Sequence, residues 1–158
     1  MRKQKGFSLI ELLIVVAIIL IIAAIAIPNL LRSRIAANEA SAVGSMRTIN
    51  TAEITFASTY PSTGYSADLP SLAGSACTSP TSAGACLIDA TLGGATTAAN
   101  SKSGYYFTYA ADANVGYTLA GTPAHVGSTG IKQFYTDGTA VIRYASGAAA
   151  SASSPAIQ

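Results

Sequence analysis

The chain opens with a short basic stretch that is followed by a long aliphatic run. Residues 12–27 contain no polar side chain, and residues 7–31 are predominantly apolar. A transmembrane helix needs about 20 apolar residues, so this segment is long enough to span a bilayer. We therefore predict that residues 7–31 form the membrane-spanning half of a helix.

Beyond the aliphatic run, apolar residues recur every three to four positions, which is the pattern of an amphipathic helix. Residues 32–58 are predicted to continue the same helix, with one stripe that packs on a small domain. The stripe consists of Leu31, Ile35, Ala42, Met46, Ile49 and Phe56. Glu53 lies at its edge and is predicted to be a solvated or hydrogen-bonded rim residue, with an intersubunit ion pair as the alternative.

Two residues weaken this long helix. Pro28 lacks a backbone donor and clashes with the preceding turn, so a kink or a locally unwound turn is expected there. Gly44 is a second weak point because glycine disfavours helix interiors. The simplest interpretation of Pro28 is a passive kink at the membrane edge.

The pattern then changes to turns and alternating strands. Residues 59–103 are turn-rich, with one helical turn predicted at residues 87–92 before Gly93. Residues 104–144 are predicted to form an antiparallel meander, and the Ala/Ser-rich tail, residues 145–158, is predicted to be loose. The predicted strands are residues 105–110, 116–120, 132–136 and 139–144. The links are a hairpin loop at residues 112–114 and a two-residue type I′ turn at Asp137-Gly138.

These elements predict an α+β protein in which one long N-terminal helix packs on a small antiparallel sheet. Only 10% of the residues are charged, and the part after Leu31 carries six charges of each sign. A duplex-binding protein normally presents a basic stripe, so direct nucleic-acid binding is not expected.

The two cysteines are Cys77 and Cys86, with eight residues between them. A close pair in an exported chain favours a disulfide. The alternative is a two-cysteine metal site, but structural zinc normally has four ligands and the single histidine, His125, is distant in sequence.

Enzyme chemistry finds no support in the sequence. His125 lies in a Gly/Pro-rich loop without a recognisable nucleophile motif, so it is interpreted as exposed polar surface. The aspartates are scattered beside turns, where they favour capping: Asp68, Asp89, Asp112 and Asp137. We expect no cofactor and no metal, although calcium binding at residues 112–114 stays an open alternative.

Glu11 is the residue that most needs an explanation. It directly precedes the aliphatic run, and a carboxylate near hydrocarbon costs at least a few kcal/mol unless it has a partner or a function. The nearest cations, Lys3 and Lys5, belong to the basic leader and would extend towards the headgroups. If the chain were cut after Gly6, the amine of Phe7 would be mostly cationic near neutral pH and would become a candidate counter-ion.

Residues 6–18, which read GFSLIELLIVVAI, resemble the class III signal of type IV pilins and type II secretion pseudopilins. The resemblance implies a six-residue leader that prepilin peptidase removes after Gly6, with methylation of the new N-terminal Phe7. It also implies that Glu11 is the assembly carboxylate, that the helix melts around Pro28 during assembly, and that the fold is type IV pilin-like.

The expected function is therefore a structural pilus subunit that polymerises with identical or related subunits. Its other partners would be prepilin peptidase, the inner-membrane assembly machinery and, before assembly, membrane lipid. The precursor is expected in the bacterial inner membrane with its leader in the cytoplasm, and the mature subunit in an extracellular pilus. The sequence leaves adhesion, twitching motility, glycosylation and major or minor status open.

Three alternatives remain. A pseudopilin of a type II secretion system shares the N-terminal motif and would form a periplasmic pseudopilus. A signal-anchored surface or periplasmic domain would never polymerise. An ordinary secretory signal would be cleaved near residues 24–26, which fit the small-x-small pattern, but a carboxylate gives no benefit to a segment that is discarded.

Overall fold

The computed structural model describes residues 6–74, 77, 79–112 and 116–157. The chain divides into two compact units, Met1–Arg34 and Ile35–Gln158. Helix α1 spans Leu9–Thr59 and contributes to both units. Leader residues 1–5 lie outside the described part, so the leader prediction is untested there.

The second unit contains two short helices and a four-stranded sheet. The helices are α2 (Leu69–Ala73) and α3 (Ala90–Gly93). The strands are β1 (Tyr105–Asp112), β2 (Gly116–Pro123), β3 (Lys132–Asp137) and β4 (Arg143–Ser146). All neighbours are antiparallel in the order β1-β2-β3-β4, which confirms the predicted α+β meander.

The core of the second unit lies between the outer half of α1 and the sheet. Five positions of the predicted helix stripe are buried: Ile35, Ala42, Met46, Ile49 and Phe56. Leu31 was wrongly included, because it is 42% exposed and belongs to the first unit. The sheet supplies the other side of the core through large side chains on alternate positions, which are Tyr105, Phe107, Tyr117, Leu119 and Phe134.

The predicted two-residue turn at Asp137-Gly138 is wrong. Tyr135 pairs with Arg143, so the connection to β4 is longer than a type I′ turn allows. The Asp137 carboxylate instead accepts hydrogen bonds from the backbone and hydroxyl of Thr139, at 3.0 and 2.6 Å. Ala140 adopts φ 60°. Its carbonyl accepts a hydrogen bond from the side-chain amide of Asn50 on α1. Because of this tertiary contact, β4 begins later than predicted, at Arg143.

The two short helices begin at aspartate caps, as expected for aspartates beside turns. Asp68 accepts a hydrogen bond from the Ser71 backbone, and Asp89 accepts one from the Leu92 backbone. Helix α2 was not predicted from the sequence. Its position is fixed by backbone hydrogen bonds from residues 85–88 to Ser71 and Leu72.

Cys77 and Cys86 form a disulfide with their Cα atoms 5.6 Å apart, which confirms the predicted pairing. The bridge closes the loop that follows α2. Gly74, at φ 72°, lies against this bridge, and a Cβ there would come within 2.9 Å of the Cys86 sulfur. The loop therefore depends on glycine as well as on the disulfide.

The prediction of a loose tail needs correction for residues 154–157. The Tyr144 backbone donates to Pro155, and the Ile157 backbone donates to Ile142. Ile157 also packs against the core. The unpaired edge of β4 attracts this segment because free strand groups need partners, and the Ala/Ser-rich composition carries no signal of that edge.

The helix continues through both predicted weak points. Every residue from Leu9 to Thr59 is helical, including Pro28 and Gly44, so no locally unwound turn interrupts it. The predicted kinks at these two positions remain predictions.

Candidate assembly segment at the start of the first helix

The predicted cleavage junction lies just before α1. Gly6, Phe7 and Ser8 precede the helix, and all three are exposed. The Phe7 side chain is 78% exposed. A Cβ built on Gly6 would meet no other atom of the described residues within 4 Å, so this position is not crowded.

Glu11 caps its own helix. Its Oε2 atom accepts a hydrogen bond from the Ser8 backbone N–H at 3.0 Å, and the Leu12 N–H donates to the Ser8 carbonyl at 3.2 Å. A glutamate three residues after a serine N-cap is one half of a capping box, which satisfies an otherwise free donor at the helix start. This role was not predicted from the sequence, although the Ser-x-x-Glu spacing indicates it.

The carboxylate retains capacity for a second partner. Oε1 of Glu11 accepts no hydrogen bond from the described residues. The ion pairs within the described part are Lys102–Asp89 and Lys132–Glu39, and neither involves Glu11. A negative charge near the helix N-terminus is favourable, but this leaves one carboxylate oxygen available to a cation from outside.

The helix surface after Glu11 is aliphatic and uncovered. Within the described residues α1 is the one helix long and apolar enough to cross a membrane, and none of its most apolar stretch is buried. Leu13 is 62% exposed and Ile21 is 64% exposed. A contiguous apolar surface of this size requires lipid or another protein around it.

Glu53, one of two acids on the amphipathic half of α1, is buried rather than at the rim, although the predicted hydrogen bonding is confirmed. Its side chain is completely inaccessible, so it is not a solvated rim residue and is out of reach of an intersubunit partner. The Glu53 carboxylate accepts hydrogen bonds from the Ser66 hydroxyl and from the Ser66 backbone at 3.1 Å. The Tyr109 hydroxyl donates to the Ser66 carbonyl at 3.0 Å and closes the network.

A second buried network lies near the first. The Tyr117 hydroxyl donates to Asn50 Oδ1 at 2.9 Å, and Asn50 Nδ2 donates to Thr136 and to the Ala140 carbonyl, both at 3.2 Å. Burial raises the pKa of Tyr117, and the negative charge of Glu53 raises it further. These contacts join α1 to the sheet and were not predicted from the sequence.

The remaining candidates belong to the second unit. His125 is exposed in the loop after β2, and its backbone bonds to Thr129. The described residues contain no group of three or more metal-ligating side chains. Two of the three residues in the calcium alternative, Ala113 and Asn114, lie outside the described part, so that alternative is untested.

Comparison with known proteins identifies the N-terminal segment. Residues 1–27 match the family model of the prokaryotic N-terminal methylation motif. The chain is 67% identical over 39 residues to the type IV wide pilus major component PilA4 of Thermus thermophilus, covering 25% of this chain and 30% of that protein. It is 45% identical over 54 residues to the type IV major pilin protein PilA of Myxococcus xanthus, covering 34% and 24% respectively.

These matches show that the N-terminal segment is similar to that of type IV pilins, and they confirm the resemblance of the N-terminal signal. The aligned stretches span only 30% and 24% of the length of the two relatives. No solved structure matches the chain significantly. The long apolar helix on a four-stranded antiparallel sheet is itself a pilin-like α+β arrangement.

Proposed function

We propose that this chain is the prepilin of a structural subunit of a bacterial type IV pilus, with no catalytic role of its own. Prepilin peptidase cleaves it after Gly6 and methylates Phe7, and the mature subunit polymerises through α1. The observation that carries the proposal is the aliphatic, uncovered surface of α1 with one acid, Glu11, at its start. The family match to the methylation motif supports it independently.

Before assembly the aliphatic half of α1 lies in the inner membrane, with the basic leader in the cytoplasm. Three basic residues in a short tail favour retention on that side, although Arg32 and Arg34 flank the other end. The disulfide between Cys77 and Cys86 requires an oxidising compartment for the second unit, which supports the same orientation. The inner-membrane assembly machinery then extracts the subunit.

Assembly transfers α1 from lipid to neighbouring helices. Both environments are apolar, so van der Waals packing supplies much of the cohesion. A directional contact must set the register between subunits. In our proposal, Glu11 of an incoming subunit pairs with the Phe7 amine of its neighbour, because a charge pair is strengthened in a low-dielectric surrounding.

The capping bond refines this proposal. One oxygen of Glu11 holds the Ser8 N–H at the start of its own helix, and the other accepts nothing from the described residues. Glu11 can therefore keep its helix capped while it binds a cation on the next subunit. Removing one partner of such a pair leaves an uncompensated charge, which is strongly destabilising.

A substitution series at Glu11 tests the proposal. Glu11→Leu removes both the charge and the capping acceptor, whereas Glu11→Gln removes the charge and keeps an acceptor for Ser8. We expect both variants to insert and to be cleaved, yet to yield no sheared surface filaments. Normal piliation by Glu11→Gln would show that only capping matters, and normal piliation by Glu11→Leu would defeat the proposed pairing.

Cleavage is tested separately at the junction. Gly6→Leu is expected to block peptidase, so mass spectrometry of the membrane fraction should find the intact leader. In the unmodified chain, the mature protein should begin at a methylated Phe7. A mature protein with an intact Gly6–Phe7 bond would instead favour a signal-anchored domain that does not polymerise.

The second candidate function is a pseudopilin of a type II secretion system, which the shared N-terminal signal favours equally. Location separates the two candidates. A pilin is recovered from purified surface filaments, whereas a pseudopilin stays in a short periplasmic structure. The two relatives named above are a type IV pilus component and a type IV pilin, which favours the pilin.

A further inference from the structure

An open groove lies within the second unit, between the outer half of α1, the strands β3 and β4, and the tail. Its volume is about 820 Å³. The apolar part of its wall includes Val43 of α1, Phe134 of β3 and Ile157 of the tail. An apolar surface that one copy of a chain leaves open is a place where a partner can bind.

Arg47 gives this groove an unpaired positive charge. It lines the groove, it is exposed, and its guanidinium makes no hydrogen bond or ion pair with the described residues. The other two charged side chains of the groove, Lys132 and Glu39, pair with each other at 3.4 Å. The groove therefore favours a partner that presents an acid beside apolar atoms.

Asp68, the N-cap of α2, is an acid of the same unit that matches this description. Its Oδ1 atom accepts the hydrogen bonds of Ser71 that cap α2, whereas Oδ2 accepts none from the described residues. Asp68 is exposed together with Ala67 and Pro70, and we call these three residues the Asp68 corner. The other acids of the second unit are paired, otherwise engaged or buried, and they are Glu39, Glu53, Asp89, Asp112 and Asp137.

The groove and the Asp68 corner lie at opposite edges of the sheet. The groove is at the β4 edge, where Tyr144 lines it. The Asp68 corner is beside β1 at the other edge, because the Ser66 hydroxyl donates to the Asp68 carbonyl at 3.2 Å and the Tyr109 hydroxyl donates to the Ser66 carbonyl at 3.0 Å. Each copy can thus engage two neighbours, and a contact between unlike surfaces repeats head to tail into an open array unless it closes as a ring.

We propose that the groove beside Arg47 binds the Asp68 corner of a second copy of this chain, with the Arg47 guanidinium on Oδ2 of Asp68. The inference rests on the proposed function, for which it names a contact between second units. Oδ1 continues to cap α2 in this arrangement. An exposed ion pair adds little affinity, so the apolar wall supplies the packing and the charges set the register.

Chemical cross-linking of sheared filaments tests the contact. The full-length chain carries Val43→Cys in the groove and Ala67→Cys in the Asp68 corner, and a short bismaleimide joins free thiols but does not react with the Cys77–Cys86 disulfide. We expect a ladder of multimers from the double variant and monomers from each single variant. The matched control combines Val43→Cys with Ser128→Cys, since Ser128 is exposed in the loop after β2, and it should give monomers.

A dimer from either single variant, a ladder from the control, or filaments without a ladder from the double variant would overturn the inference and leave the proposed function in place. An absence of this chain from surface filaments would instead refute the proposed function.

Substitution of Arg47 tests the role of charge without disturbing the core, because this residue is exposed. Arg47→Glu should lower the yield of sheared filaments several-fold, whereas Arg47→Lys keeps the charge and should retain most of the yield. Asp68→Asn keeps a capping side chain for α2 and should also lower the yield. Equal yields from Arg47→Glu and Arg47→Lys would contradict the proposed pairing.

Discussion

The two halves of α1 place a glutamate in opposite environments. The first half carries Glu11 beside its aliphatic residues, and the second half carries Glu53 beside the stripe that packs on the sheet. Glu53 is completely buried and receives two hydrogen bonds from Ser66, so the chain satisfies it internally. Glu11 is exposed beside an uncovered apolar surface and holds one hydrogen bond from its own helix start.

The difference shows which unit forms a buried core within a single chain. The second unit closes its own core, with buried aliphatic and aromatic side chains from α1, α2 and the sheet. The described residues of the first unit, 6–34, form no such core, and their large aliphatic side chains are all exposed. Its stability in water would require surroundings that a single copy does not supply. A lone acid in that segment is therefore available for a partner, whereas the buried one is not.

The largest expected effect is on the free energy of unfolding, and it differs between Phe56 and Phe7, which lie near opposite ends of α1. Phe56 is fully buried, so Phe56→Ala should lower the free energy of unfolding by about 3 to 5 kcal/mol. Phe7 is 78% exposed, so Phe7→Ala should change it by less than about 0.5 kcal/mol. Denaturant unfolding of the full chain in detergent measures both, and equal losses would show that the first unit has a core after all.

The two glutamates provide the next comparison. Glu53→Ala leaves the Ser66 hydroxyl and backbone N–H without their buried acceptor, so we expect a loss of about 2 to 4 kcal/mol. Glu11→Ala in the same unfolding assay should have little effect, because its carboxylate is exposed. Ser66→Ala should be partly non-additive with Glu53→Ala in a double-mutant cycle. Full additivity would argue against a shared network.

The disulfide sharpens the comparison within the second unit. Replacing Cys77 and Cys86 together by serine should lower the free energy of unfolding by about 2 to 3 kcal/mol, since the closed loop is short. Insertion of the first unit into membranes should be unaffected. Unfolding curves with and without reductant, alongside carbonate extraction of the membrane fraction, measure these two outcomes. A loss of insertion would show that the units are not independent.

The smallest effect concerns an exposed ion pair. A hydrogen bond from Lys102, followed by one from the Leu92 backbone, lowers the pKa of Asp89 below its ordinary value of 3.8. The resulting stability is present above that value and is lost as the pH falls through the lowered pKa. Lys102→Met should therefore cost less than about 1 kcal/mol at neutral pH, and the difference should vanish in strong acid. A difference that grows on acidification would contradict this assignment.

Periodicity predicted the architecture well but located the turns poorly. The α1 helix was expected at residues 7–58 and spans Leu9–Thr59, because a continuous apolar pattern with period 3.6 is a strong local signal. The Asp137-Gly138 turn failed because Asn50 on α1 binds the Ala140 carbonyl and the Asp137 side chain caps Thr139. Such contacts join residues far apart in the chain, and no window of local sequence contains them.

The candidate site lies within one short stretch of the chain, and the roles of Gly6, Phe7 and Glu11 remain predictions. Gly6, Phe7 and Glu11 belong to one short motif, so their chemistry can be predicted from residues that are close together in the chain. The Ser8–Glu11 cap could also be predicted from adjacent residues, but it was not. By contrast, the burial of Glu53 could not be read from its position on the stripe, since its partner Ser66 lies in a loop that the sequence left without regular structure.

The amino-acid sequence by itself determined a long helix with an apolar first half, a lone acid at the start of that half and a closely spaced disulfide pair. Each of these depends on residues that are neighbours along the chain or recur at a helical period. The tertiary structure alone decided which acid is enclosed, where β4 begins, and that residues 154–157 return to the edge of the sheet. These outcomes follow from satisfying buried donors and acceptors across the fold, and that requirement exists only once distant segments have been brought together.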